Sequence, residues 1–169
     1  VIINEEELIR RWGIEMVPLD LVVLVKAVLA IADSDPRVRV EAESIAARLP
    51  VRAGDPKAVQ RIAALRLYLS DWAEREGLSA IAFKCHDDLP EALGIYPCFV
   101  NGELAARGIP VTCETDIHGA LTAVLLQGAA EGALPAQGHG PGGPAVAPFF
   151  ADRTVRHPTN DNAELLWHC

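Results

Sequence analysis

Residues 109–120 read IPVTCETDIHGA and residues 148–152 read PFFAD; each is a short apolar run that ends in an acid. Short apolar runs bounded by turn residues have the pattern of buried strands, and open parallel sheets bind ligands outside the carboxyl ends of their strands. Glu114 and Asp152 therefore each stand where a ligand would be met. Two carboxylates gathered there offer hard oxygen donors to one divalent ion, or a proton-transfer pair to one substrate. Asp116 follows closely, but its place just before a helix is that of a cap or loop acid.

A third apolar run, residues 80–83 (AIAF), is followed by Lys84, Cys85 and His86. All three can face the same crevice and are candidate substrate-binding residues. His118 lies inside the next helix, where a packed or solvent-facing side chain is expected; His139 belongs to a loop. His157 follows the third strand and can approach the site, whereas His168 ends the chain's last apolar run. Cys85, Cys98, Cys113 and Cys169 include no C-x-x-C pair, so a structural zinc knuckle is not indicated and reduced thiols are the plainer reading. Two other chemistries lack their signatures: no nucleophile elbow is present, and no G-x-G-x-x-G follows a strand. The glycines of residues 138–143 (GHGPGG) precede a strand and lack a following Lys-Ser/Thr, so they read as a surface loop.

The elements that must position these residues fall into two textures. Residues 5–12 predict a short helix with acids first and bases last, as the helix dipole prefers, stopped by Gly13. A brief strand is expected over residues 15–19. Asp20 then caps an apolar helix to Ile31, and Ser34 or Asp35, with Pro36 behind it, starts another to about Leu49. Asp55 and Pro56 repeat that device before Val59, Ile62, Leu65, Leu69 and Trp72, whose spacing marks a helix to about Glu76. From Gly77 onward short apolar runs alternate with helices: strands near 80–83, 109–113, 146–151 and 165–168, helices over 87–93, 98–107 and 117–130. Such alternation implies a parallel sheet. The expected fold is thus α/β: a helical segment (1–76) followed by a Rossmann-like parallel β-sheet with flanking helices (77–169).

The chain has 169 residues, 15 Lys+Arg against 23 Asp+Glu, and a net charge of −8. Without a basic cluster it has no footprint for nucleic acid or for an anionic membrane. No apolar run reaches the roughly 20 residues that a bilayer span needs. The opening residues lack the pattern of a signal peptide, and a cytoplasmic location is expected. Val1 at the start and the uncovered apolar run at the end suggest an internal piece of a longer protein.

Residues 111–120 (VTCETDIHGA), then 149–152 (FFAD) and 165–169 (LLWHC), resemble the L-fucose/L-arabinose isomerase-like family. The likeness is strongest over 79–169 and continues more weakly through the helical half. It implies aldose–ketose isomerisation of a sugar such as L-fucose or L-arabinose, through a cis-enediol. It also implies a divalent metal, typically Mn2+, held by Glu114 and Asp152, which serve as proton-transfer acids as well. The resemblance puts a third ligand, a histidine, beyond residue 169. It further implies a homo-oligomer with sites near subunit interfaces. Where fucose isomerases present glutamines to the sugar, this chain has Lys84, Cys85 and His86, which leaves the sugar open. The alternatives are a non-catalytic α/β sugar-binding module, an inactive fragment of such an isomerase, and a metal-dependent aldolase or lyase.

Overall fold

Helix starts in the first half are set by side chains that satisfy the free amides of a first turn. The computed structural model describes residues 4–48 and 55–133. In α1 (Glu5–Trp12), Asn4 accepts from the Glu7 amide at 3.2 Å, and Gly13 ends the helix at φ 66°. In α2 (Leu21–Ser34), Asp20 accepts from the amides of Val22 and Val23 at 2.8 and 3.2 Å. Asp35 accepts from the Arg37 amide at 2.9 Å and so opens α3 (Pro36–Arg48). Asp55 does the same for Lys57 at 3.0 Å in α4 (Pro56–Glu76), which Gly77 closes at φ 65°. In α3 and α4 a proline occupies the first position, where its missing N–H costs nothing.

The long helix α4 is the organiser. It packs against α2 and α3 and also against α6 (Cys98–Ala105), which is why its buried set is wider than one stripe. Ala63, Ala64 and Leu65 are fully buried, and Leu69 is nearly so. One charged side chain enters this packing: Arg66 of α4, which meets Glu41 of α3 at 2.6 Å. Arg48 carries the network on, 4.0 Å from Glu41 and 2.8 Å from Glu103 of α6. A buried guanidinium must be paired, since isolated charge is strongly disfavoured in an apolar interior.

Beyond Gly77 come β1 (Ile81–Phe83), α5 (Asp88–Leu93), α6, β2 (Val111–Cys113) and α7 (Ile117–Ala133). The two strands pair in parallel, with Ile81 opposite Val111 and Phe83 opposite Cys113. The connection between them runs through α5 and α6, as a parallel pair requires. Ile81, Leu104 and Val111 share one hydrophobic core with Leu65, Leu69 and Trp72, so the core is continuous across residues 76 and 77. The α/β class expected from the alternation is the class observed, with helices predominating among the described residues. The strands expected over 146–151 and 165–168 lie outside them.

Residues 15–19 form no strand. Met16 and Leu19 are partly covered and Glu15, Val17 and Pro18 exposed, but among the described residues no strand pairs with this segment, and Pro18 has no N–H to give. α2 and α7 each run three residues beyond the ends that periodicity predicts, to Ser34 and Ala133.

Candidate functional site

Because β1 and β2 are parallel neighbours, the loops leaving their carboxyl ends emerge side by side. Lys84, Cys85 and His86 come from the first loop, and Glu114, Thr115 and Asp116 from the second. Both loops are strained. Asp87, Glu114 and Thr115 have φ of 59°, 54° and 54°, and they are the non-glycine residues with positive φ among those described. Such a conformation costs roughly 1–3 kcal/mol per residue and persists only where surrounding contacts impose it.

The contacts that impose it are visible. The Asp116 amide donates to the Cys113 carbonyl at 3.1 Å, and the Thr112 hydroxyl donates to the Asp116 carbonyl at 2.8 Å. The Asp116 carboxylate then accepts from the Gly119 amide at 2.9 Å, capping α7 as the sequence predicts. A Cβ on residue 119 would come within 2.5 Å of Asp116 Oδ2, so this close approach requires glycine. The cap fixes the turn, and the turn aims Glu114 back towards β1.

There Glu114 meets Cys85. The thiol donates to Glu114 Oε1 at 3.1 Å. That hydrogen bond, then the nearby His86 and the backbone amides of His86 and Cys85, hold the Glu114 carboxyl below the usual glutamate range, against a smaller opposing effect of burial. Cys85 is 2% exposed. Burial, followed by the neighbouring Cys113 thiol and the Glu114 carboxylate, pushes its ionisation well above the ordinary thiol range, so it donates as S–H at neutral pH. Asn101 of α6 donates to Cys113 Sγ at 3.4 Å and ties the second strand end into the packing.

His86 is exposed and sits edge-on to Tyr96, with ring centroids 6.5 Å apart. Lys84 is also exposed. Its ammonium lies 3.3 Å from Asp88 and 3.7 Å from Asp87, and the hydrogen bond to Asp88 is the main reason its ionisation is raised. The Cys85 sulfur, an imidazole nitrogen of His86 and a Glu114 oxygen lie within 4.8 Å of one another. His118 is solvent-facing on α7. Asp152, His139, His157 and His168 lie outside the described residues.

Sequence reasoning places Lys84, Cys85, His86 and Glu114 at neighbouring strand ends, and the structure brings Cys85, His86 and Glu114 together there. It does not foresee the Cys85–Glu114 hydrogen bond or the contribution of Asn101. The available signal was the parallel pairing itself, since residues just past two paired strands are necessarily close.

A cleft of about 430 Å³ lies on another side, between residues 13–17, the end of α4 and α7. Trp72, Ile81, Leu121 and Val124 help line it, and its acids are Glu15 and Glu76. Lacking convergent polar groups, it is a weaker candidate for chemistry than the strand ends.

No protein-family model matches the chain, and no solved structure matches it significantly. Curated relatives do match. A protein named sulfoquinovose isomerase from Alkalicoccus urumqiensis is 30% identical over 115 residues, 68% of this chain and 23% of its own length. Proteins of the same name from Priestia aryabhattai and Priestia megaterium are each 27% identical over 167 residues, 98% of this chain and 34% of theirs. The chain therefore spans about a third or less of the length of these relatives. Along that span, the chain is similar to proteins named sulfoquinovose isomerase.

Proposed function

We propose that the intact protein interconverts an aldose and its ketose, with Glu114 and Asp152 holding a divalent cation beside the open-chain sugar. The observation that carries this reading is the ionised Glu114, held at a parallel strand end in a chain similar to sugar isomerases. The relatives' printed name makes sulfoquinovose the first sugar to assay, ahead of L-fucose and L-arabinose.

Glu114 suits a hard cation. Cys85 occupies Oε1 as a weak donor, and the carboxylate is ionised throughout the neutral range. When bound, a divalent ion such as Mn2+ would polarise the carbonyl and the adjacent hydroxyl of the sugar. Proton transfer between C1 and C2 needs a carboxylate within hydrogen-bond reach, acting first as base and then as acid. The hydrogen bonds that lower the Glu114 pKa suit it as a ligand and make it a weaker base, so the two roles compete in the proton shuttle placed on Glu114 with Asp152 as its partner. Lys84 and His86 are exposed beside the site and available to sugar hydroxyls. A homo-oligomer in the cytoplasm is part of the same proposal.

The test is manganese binding by calorimetry on the intact protein, with ketose formation followed in parallel. Glu114→Gln and Asp152→Asn are each expected to weaken binding at least about 100-fold, beyond the 10–100-fold that loss of a mere supporting residue costs. Binding and turnover unaffected by both substitutions would overturn the assignment.

A further inference from the structure

The donors gathered beside Glu114 are of mixed hardness: a sulfur from Cys85, a nitrogen from His86 and a carboxylate oxygen. Hard cations such as manganese prefer oxygen ligands, whereas thiolate and imidazole suit zinc and its neighbours. From this juxtaposition we propose a second cation site at Cys85, His86 and Glu114, selective for a thiophilic divalent ion of the zinc class. Because the site uses Glu114, its occupation excludes a hard cation from the same carboxylate. That exclusion rests on the function proposed above; the existence of the site does not.

The geometry is close to what a tetrahedral ion needs. Ligands about 2.0–2.3 Å from such an ion lie roughly 3.3–3.7 Å from one another. Cys85 Sγ and Glu114 Oε1 are already 3.1 Å apart, and the whole set falls within 4.8 Å. The main remaining adjustment falls to His86, which is exposed and edge-on to one ring, so it can turn inward. Three protein ligands with one open position is the arrangement of zinc sites that keep a water. On binding, the Cys85 S–H bond breaks, its proton passes to solvent, and the sulfur exchanges its hydrogen bond to Glu114 for a bond to the metal. No change of oxidation state is involved. The strained backbone at Glu114 and Thr115 restrains the carboxylate before any ion arrives, so the Cys85 sulfur need part from it only slightly and the larger movement falls to His86.

Cobalt(II) is the probe, since its bond to a thiolate gives a near-ultraviolet charge-transfer band that a site of oxygen ligands lacks. Titration of the intact protein is expected to produce that band, saturating at one ion per chain. Cys85→Ser, which keeps a hydrogen-bond donor towards Glu114, abolishes the band; His86→Ala, at an exposed position, weakens cobalt binding at least about tenfold. Zinc added to manganese-loaded protein then releases the manganese. A band that survives Cys85→Ser unchanged, or its absence from the wild type, overturns the proposal. Manganese binding that depends on Asp152 without a cobalt band would sink this site and leave the isomerase reading intact. A cobalt band without manganese binding would do the reverse.

Discussion

The helical half and the strand-end region of this molecule solve opposite problems. In α2, α3 and α4 the described helix starts are capped and apolar side chains close over one another, with the one buried guanidinium, Arg66, paired to Glu41. At the ends of β1 and β2 the chain instead holds three non-glycine residues in left-handed backbone conformations and crowds a thiol, an imidazole and a carboxylate together. The first region lowers the free energy of the fold, and the second draws on that stability to keep reactive groups in place.

The largest effect that would break this contrast lies in the helical half. Glu41→Gln leaves Arg66 buried with an uncompensated charge and is expected to destabilise by about 3–5 kcal/mol in chemical denaturation. A loss under 1 kcal/mol would show that water or Arg48 relieves the site and that the charge is not interior in effect. In the strand-end region the expected sign reverses. Thr115 is β-branched, exposed and at φ 54°, and among the described residues its hydroxyl reaches only the Glu114 carbonyl. Thr115→Gly should therefore stabilise by about 1 kcal/mol, relieving strain at some cost in chain entropy. It should also weaken manganese binding, because the turn that aims Glu114 loosens. Stabilisation with unchanged binding would mean that the strain does not position the carboxylate.

The smallest effect is a titration. Glu114 is held below the ordinary glutamate range, chiefly by the Cys85 thiol, so the bound form is the charged one. Its contribution to stability is then fully present above the unfolded value of about 4.3 and is lost as pH falls through the lower folded value. NMR of the Glu114 carboxyl carbon should show a depressed midpoint, and Cys85→Ala should move it up and shift acid unfolding to higher pH. A midpoint indifferent to Cys85→Ala would assign the depression to the backbone amides and His86 instead.

Much of the helical half could be read from single residues. Asp20, Asp55 with Pro56, Gly13 and Gly77 mark ends that local hydrogen bonding alone determines. Residues 15–19 misled because a short run needs a partner strand to become a sheet, and sequence does not reveal whether one is near. Glu114 was legible as an acid at a strand end, and the capping role of Asp116 was apparent from its position before α7, whereas Asp152, the other expected strand-end acid, lies outside the described residues. The Cys85–Glu114 hydrogen bond was not, because it depends on the register that sets Phe83 against Cys113, a relation between segments far apart in the chain.

That register also bears on the order in which the molecule assembles. Ile81 pairs with Val111, so the strand pair cannot form until the intervening residues have been drawn into place. Closing a connection of that length costs entropy before any ladder bond rewards it, whereas the contacts within each helix are local and fast. The helices around α4 should gain protection first in pulse-labelled hydrogen exchange, and the amides of β1 and β2 later. Amides of β2 protected as early as those of α4 would reverse that order. Under the expected order, Cys85 and Glu114 meet only after the helices around α4 have formed, so an ion of either proposed site that arrived earlier would find nothing to capture it.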